Sequence, residues 1–256
     1  MEAFERLETE LGISLPKTSE TYPILISWLF PSGVLHAKAW NSQQDARDGI
    51  LSRSLSSPEL IDDTLESEES KIHGNFGLSS CPGKKVRLKG DAIHRKRMAR
   101  CILIIVGMVN RDLQMDFERI KSQGVSIVIC CLDDHELSFL GCPWDDYVRV
   151  ASLMEMDVIR IPMLNGSCPQ TIEELDPILH NVNMQLDAGK NILCHCRGGV
   201  GRAGLIACCF LLYKGYCTDP EDAIRFLRVR RSPRAIETRK QEDFIRRYAI
   251  SQKRRI

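Results

Sequence analysis

The sequence predicts an α/β fold with a central, mostly parallel sheet and helices on both faces. Three short apolar runs, Val125–Cys131, Asp157–Ile161 and Asn191–His195, have the character of strands buried on both sides. Segments whose apolar residues recur at helical spacing lie between and after these runs. Strands that alternate with helices are typical of a sheet covered on both faces. In such folds ligands bind at the carboxyl ends of the strands.

The elements before Asp112 are less regular. The apolar run Pro23–Phe30 predicts an early strand, closed by turn residues. Residues 41–72 are rich in Ser, Asp, Glu and Gln. We expect them to form a disordered acidic loop, because they bury too little apolar surface to offset chain entropy. The apolar run at 101–109 fits a strand and a buried helical turn equally well.

The helices are clearer from Asp112 onward. Leu113, Phe117 and Ile120 share one helical face, and Gly124 ends that pattern. Four further helices are predicted, at Ile172–Leu186, at about Arg202–Lys214, from Pro220 onward, and at Glu237–Tyr248.

Composition limits the classes of function. The formal net charge is +1, so nucleic acid and anionic membranes are not expected as partners. The first residues lack the features of a secretory signal, and no apolar run is long enough to span a bilayer. The eleven cysteines cluster in apolar segments such as Cys208-Cys209, which favours free thiols in a reducing compartment. We expect a monomeric, cytoplasmic or nuclear protein that needs no metal or cofactor.

One stretch carries most of the chemical information: His195-Cys196-Arg197-Gly198-Gly199-Val200-Gly201-Arg202-Ala203-Gly204. It joins a predicted strand to a predicted helix through a glycine-rich turn. Such a turn presents backbone N–H groups and a helix N-terminus to an oxyanion. The glycines let the backbone approach a phosphate without Cβ clashes.

Within this stretch Cys196 is the candidate nucleophile and Arg202 the candidate phosphate ligand. A helix N-terminus and cationic neighbours favour the thiolate form of a cysteine, and His195 is a further candidate to contribute positive charge. Arg202 can hold two phosphoryl oxygens at once and stabilise the charge of the transition state. Attack of the thiolate on phosphorus would give a cysteinyl-phosphate that water hydrolyses. The simpler interpretation is a strand-to-helix turn with a buried cysteine and a surface arginine.

The chain resembles the cysteine-dependent protein phosphatases, within them the dual-specificity branch typified by the cyclin-dependent kinase-associated phosphatase. Besides the decapeptide, the similar segments are Ile24–Leu29, Ile127–Leu137, Pro162–Pro169 and Ala235–Gln241. The resemblance implies hydrolysis of phosphotyrosine and of phosphoserine or phosphothreonine in proteins, without a metal, and suggests a cyclin-dependent kinase as a partner. It also suggests the domain limits, namely an N-terminal extension at 1–20 and a phosphatase domain at 21–256 with an insertion at 91–108.

Two positions depart from this family. The resemblance places Asn165 where the family carries the acid that protonates the leaving oxygen, and a carboxamide cannot donate a net proton. Ala203 stands where the family prefers Ser or Thr. These departures keep a second hypothesis open, in which the domain binds phosphoproteins with little or no turnover. A phosphoinositide or RNA 5′-phosphate substrate is less favoured, because Arg197 is the loop's only additional cation.

Other residues are candidates for supporting roles. Asp133, Asp134 and Glu237 are candidate substitutes for the missing acid, although helix capping or a solvated turn explains each of them as well. The resemblance implies a water-positioning role for Gln241. It also implies that Cys131 can form a protective disulfide with Cys196, whereas a buried, inert thiol is the alternative.

Overall fold

A computed structural model describes residues 17–30, 74–86 and 109–253 of the chain. Its strands are β1 (Lys17–Thr18), β2 (Ser27–Trp28), β3 (Phe76–Ser80), β4 (Lys85–Val86), β5 (Val109–Asn110), β6 (Val125–Cys130), β7 (Asp157–Arg160) and β8 (Asn191–Cys196). Its helices are α1 (Leu113–Ser122), α2 (Asp134–Phe139), α3 (Trp144–Leu153), α4 (Ile172–Asp187), α5 (Arg202–Tyr213), α6 (Pro220–Arg230) and α7 (Arg239–Lys253).

The central sheet has five strands in the order β2-β3-β8-β6-β7. Only β2 runs antiparallel to its neighbour, and the other pairs are parallel. The predicted α/β fold with a mostly parallel sheet is confirmed. Strand β8 lies in the middle, where Ser80 pairs with Cys196 and Cys130 pairs with His195. The carboxyl ends of β3, β6 and β8 therefore meet at one edge of the sheet. A small second sheet has the order β1-β5-β4.

Helix α5 lies at the centre of the packing. It contacts β8 and β3, and α6 and α7 pack against it, whereas α1 and α3 pack together against β6 and β7. Residues Arg202 to Leu212 of α5 are all buried, which explains why this helix is apolar almost all round. The burial of α5 fixes the position of its first residue, Arg202, relative to the end of β8.

Several elements differ from the sequence prediction. The early strand covers only Ser27–Trp28, and α7 begins at Arg239 rather than at Glu237. The sequence did not predict β3, because Phe76–Ser80 mixes apolar residues with a glycine and two serines. The sequence did not predict α2 and α3 either. Asp133 and Glu136 have the three-residue spacing of a helix start. In the structure Asp133 accepts a hydrogen bond from the Glu136 N–H at 2.7 Å.

Some predictions fall on other parts of the chain. The acidic loop at 41–72 and the insertion at 91–108 lie outside the described residues, as do residues 1–16 of the N-terminal extension. Within that extension, Lys17–Thr18 pairs with Val109–Asn110 as strand β1. The limits of the phosphatase domain stay predictions.

Candidate active site

The glycine-rich turn after β8 forms a tight loop over the Cys196 thiol. Cys196 is the last residue of β8 and only 3% exposed, and α5 begins at Arg202. The Gly199 N–H donates a hydrogen bond to Cys196 Sγ at 3.3 Å. Gly199 has a φ of +70°, and a Cβ atom there would lie 2.0 Å from the carbonyl oxygen of Ser79 on β3. Only a glycine can occupy this position, so the loop's shape depends on strand β3.

Two cations hold the loop's carbonyl groups outward. Arg231 donates from Nε to the Gly199 carbonyl and from Nη2 to the Gly198 carbonyl, both at 3.0 Å. Lys84 Nζ donates to the Arg197 carbonyl at 3.2 Å. In a trans peptide the N–H of the following residue points away from the carbonyl. The N–H groups that follow these three carbonyls therefore point to the inside of the loop, the arrangement that binds anions.

The cations beside the loop are partly buried. Burial lowers the pKa of Arg231, and the Cys196 sulfur opposes that effect. Burial likewise lowers the pKa of Lys84, while Cys81 and, more weakly, Cys196 oppose it. Both groups thus interact favourably with a thiolate at Cys196, which is the charge that a nucleophilic cysteine needs.

Arg202 is held in place by a carboxylate that the sequence did not single out. Its Nη1 and Nη2 donate to the two carboxylate oxygens of Glu136 at 2.6 and 2.9 Å, and Nη1 also donates to the Met163 carbonyl at 2.8 Å. Burial lowers the pKa of the Arg202 guanidinium, but the hydrogen bond to Glu136 and the nearby negative charges of Cys196 and Glu136 together outweigh burial, and the net shift is upward. Arg202 has five N–H donors. Its Nε–H and one of its two Nη2–H groups make no hydrogen bond within the described segments. This free edge can hold two phosphoryl oxygens.

His195 lies in the core behind the loop. Its Nε2 is 2.6 Å from the hydroxyl of Tyr147, and both side chains are fully buried. Burial lowers the pKa of His195 to about 3 despite an opposing contribution from the Cys196 backbone. The imidazole is therefore neutral at physiological pH. The suggestion that His195 adds positive charge is wrong, because the ring has no water around it to stabilise a cation.

Glu237 and Gln241 lie beside Gly201, the last residue of the loop. A Cβ atom at Gly201 would lie 2.1 Å from Glu237 Oε2 and 3.2 Å from Gln241 Nε2, so the missing side chain leaves room for both. Gln241 is fully buried, and its Oε1 accepts from the Glu237 N–H at 2.8 Å. Ile236 donates its N–H to the Val200 carbonyl at 3.4 Å. Glu237 is thereby held against the loop from both sides.

Asn165 lies on a turn that contacts the same residues. The turn closes with a hydrogen bond from the Ser167 N–H to the Leu164 carbonyl at 3.0 Å. Thr238 Oγ1 donates to the Gly166 carbonyl at 2.9 Å, and Gln241 Nε2 donates to the Ser167 carbonyl at 3.1 Å. The side chain of Asn165 is exposed. The turn of residue 165, Glu237 and Gln241 therefore meet beside the loop.

A family model described as the Swiss Army Knife protein, DSP-PTPase phosphatase domain, matches residues 103–245. The chain belongs to this dual-specificity phosphatase family. It is similar to cyclin-dependent kinase inhibitor 3 of Rattus norvegicus, with 34% identity over 142 residues, and to that of Homo sapiens, with 33% over 145 residues. Each match covers 54% of this chain and 63% of the relative, so the chain spans less than two thirds of these relatives.

The fold of this dual-specificity phosphatase family member is also found in solved structures. A kinase associated phosphatase, crystallised with its catalytic-site cysteine substituted by serine, superposes with a TM-score of 0.58 at 27% identity. That match covers 70% of this chain and 88% of the other. The resemblance inferred from the decapeptide and its flanking segments is confirmed.

The candidate substitutes for the missing acid have different surroundings in this family member. Asp133 caps helix α2, and Asp134 forms an ion pair with Arg160. The helix cap formed by Asp133 matches the structural alternative considered for it, whereas the ion pair of Asp134 was not predicted. Glu237 differs from them, because its carboxylate lies against the loop and makes no hydrogen bond or ion pair among the residues that the structure describes.

The remaining candidates have clear positions. Gln241 caps the start of α7 and keeps one carboxamide N–H unused within the described segments, so its water-positioning role stays a prediction. The sulfur of Cys131 lies 3.6 Å from that of Cys194. Burial raises the pKa of Cys131 well above its ordinary value. The thiol neighbour observed for Cys131 is thus Cys194, and a disulfide with Cys196 stays a prediction.

Four residues around the loop were not predicted to take part: Lys84, Glu136, Tyr147 and Arg231. The spacing of Asp133 and Glu136 was a signal for a helix start, but nothing in it indicated a contact with Arg202. Among the described residues there is no group of three or more side chains that could hold a metal ion. No helix in the described segments is long and apolar enough to cross a membrane.

Proposed function

We propose that this protein is a phosphatase that hydrolyses phosphotyrosine in proteins, and phosphoserine or phosphothreonine more slowly, through a phosphate ester on Cys196. The observation that supports the proposal most strongly is the arrangement of the loop. A buried thiol accepts a hydrogen bond from the Gly199 N–H, inward-pointing N–H groups surround it, and the free edge of Arg202 lies at the start of the next helix.

In this proposal the sulfur of Cys196 attacks phosphorus while the bond to the leaving oxygen breaks. The loop N–H groups and Arg202 bind the non-bridging oxygens, whose charge they stabilise in the transition state. Water then attacks the cysteinyl-phosphate, the sulfur–phosphorus bond breaks, and inorganic phosphate leaves. Glu136 acts as a positioning residue, because it orients the guanidinium without touching the substrate.

The substitutions at positions 165 and 203 lead us to expect a preference for good leaving groups. Tyrosine leaves as a phenolate whose conjugate acid has a pKa of about 10, whereas an aliphatic alkoxide is a much poorer leaving group. A weakened proton donor therefore slows hydrolysis of phosphothreonine more than of phosphotyrosine. Matched peptides that carry either residue test this expectation, and faster turnover of phosphothreonine would contradict it.

A second candidate function is a phosphoprotein-binding domain, which the exposed Asn165 and the Ala203 substitution favour. Hydrolysis of an aryl phosphate by the wild type and by Cys196→Ser separates the two functions. A phosphatase loses its activity on this substitution. Equal, negligible rates together with retained binding of phosphopeptides would instead support the binding domain.

The names of the similar proteins suggest a phosphorylated cyclin-dependent kinase as the protein substrate. Mixing the purified chain with such a kinase and following its phosphate content tests this proposal. The ten cysteines in the described segments are all free thiols, which supports a location in the cytoplasm or nucleus. Imaging of the tagged, full-length protein in cells tests that location.

A further inference from the structure

The reaction proposed above needs a group that transfers protons, and residue 165 cannot be that group. General acid catalysis contributes about 10²–10⁴-fold to such reactions. Three carboxylates that follow strand β6 have other partners. Glu136 is paired with Arg202, Asp133 caps α2, and Asp134 is paired with Arg160.

Glu237 is placed differently from these carboxylates. Its Oε2 occupies the space that a side chain at Gly201 would fill, directly before Arg202. The carboxylate is exposed and has no partner within the described segments, so it is accessible to a bound phosphate ester. The negative charge of such an ester favours the protonated form of a nearby carboxyl group. A carboxyl in this position is able to donate a proton and to accept one later.

The backbone around Glu237 indicates that this placement is imposed by the fold. Ile236 has a φ of +62°, a strained conformation that a β-branched residue rarely adopts. Its side chain packs over Gly204, where a Cβ atom would approach Ile236 Cδ1 to 3.3 Å. Its N–H is bonded to Val200, and the next N–H is bonded to Gln241. The strained residue turns the chain so that Glu237 faces the loop.

We propose that the Glu237 carboxyl group transfers protons in both steps of the reaction, in place of the acid that the family carries at position 165. This proposal rests on the phosphatase activity proposed above. As Cys196 Sγ bonds to phosphorus and the ester bond breaks, the Glu237 proton goes to the leaving oxygen. In the second step a water oxygen bonds to phosphorus, the sulfur–phosphorus bond breaks, and the water proton returns to Glu237.

The test compares Glu237→Gln with the wild type on three substrates: p-nitrophenyl phosphate, a phosphotyrosine peptide and a phosphothreonine peptide. The value of kcat/KM reports the first step, in which only a poor leaving group needs the proton. We expect kcat/KM to fall by about 10²-fold on the phosphotyrosine peptide, by more on the phosphothreonine peptide, and by less than threefold on p-nitrophenyl phosphate. The loss of kcat/KM at alkaline pH, which reports deprotonation of the acid in the wild type, should disappear.

The second step has its own readout. With p-nitrophenyl phosphate, Glu237→Gln should release one equivalent of p-nitrophenol in a burst and then turn over slowly, because hydrolysis of the cysteinyl-phosphate lacks its base. Asp243→Asn is the matched control, since Asp243 is an exposed carboxylate on α7 that pairs with Arg246. This control should remain within twofold of the wild type on all three substrates.

Three results would overturn the proposal. The first is an equal loss on all three substrates with an unchanged pH profile, which is the behaviour of a merely structural residue. The second is wild-type kinetics in Glu237→Gln. The third is a gain of tenfold or more on phosphothreonine in Asn165→Asp, which would show that the acid is missing. If the wild type and Cys196→Ser have the same rates on every substrate, the phosphatase function fails instead.

Discussion

Removing the carboxylate of Glu136 should destabilise the protein, because it leaves the charge of Arg202 buried and unpaired. The Arg202 side chain is 2% exposed and that of Glu136 is 12% exposed, and two hydrogen bonds join them. Breaking a buried pair by removing one partner costs about 3–5 kcal/mol. We expect Glu136→Ala to lower the free energy of unfolding by that amount, measured by urea denaturation at pH 7.

The neighbouring pair of Asp134 and Arg160 is the matched control. Asp134 lies on the same helix as Glu136, but its side chain is 70% exposed, and an exposed pair contributes about 0–1 kcal/mol. Asp134→Ala should therefore lower the unfolding free energy by less than 1 kcal/mol. Inorganic phosphate supplies negative charge to Arg202, so it should raise the Tm of Glu136→Ala more than that of the wild type. Equal losses in the two variants, or a loss below 1 kcal/mol in Glu136→Ala, would refute this reasoning.

Three further predictions concern the loop and the core behind it. Gly199→Ala should cost more stability than Gly215→Ala and should abolish phosphate binding. Both glycines have a φ near +70°, but only at Gly199 would a Cβ atom meet backbone atoms. Urea denaturation measures the loss of stability, and calorimetry measures phosphate binding. His195 should make the unfolding free energy fall as the pH drops below 6.5, with a slope that approaches about 1.4 kcal/mol per pH unit near pH 5, because the unfolded state protonates His195 while the folded state, with a pKa of about 3, does not. That slope should be smaller in His195→Asn, and an unchanged slope would contradict the assignment. Arg231→Ala should weaken the binding of orthovanadate about tenfold, since two loop carbonyls lose their donor, and an unchanged Kd would rule out this role.

The phosphatase family could be predicted from the sequence because the residues that identify it lie within one short segment. The strand, the glycines, the thiol and Arg202 follow one another between residues 191 and 213, so local patterns suffice to place them. The parallel strands β6 and β8 were predictable for a related reason, since strands buried on both sides are apolar almost throughout. Strand β7 was predicted as a third strand of this kind, but it lies at the edge of the sheet and is only partly buried.

The partners of this segment could not be predicted, because they come from distant parts of the chain. Lys84, Glu136 and Arg231 reach the loop only through the sheet order and the packing of α5 and α6. On its own, each of them resembles an ordinary charged surface residue. The neutral His195 was also missed, since its charge depends on burial beside Tyr147 and not on its place before Cys196.

Strand β3 has a practical consequence for anyone who prepares a minimal version of this domain. The family match begins at residue 103, whereas β3 ends at Ser80 and pairs with residues 192–196 of β8. A fragment limited to the matched residues would leave one edge of the central strand open to pairing between molecules, which promotes aggregation. It would also lack Ser79, on which Gly199 packs, and Lys84. Such a fragment would keep the complete phosphatase motif and still lose strand β3, against which its loop packs.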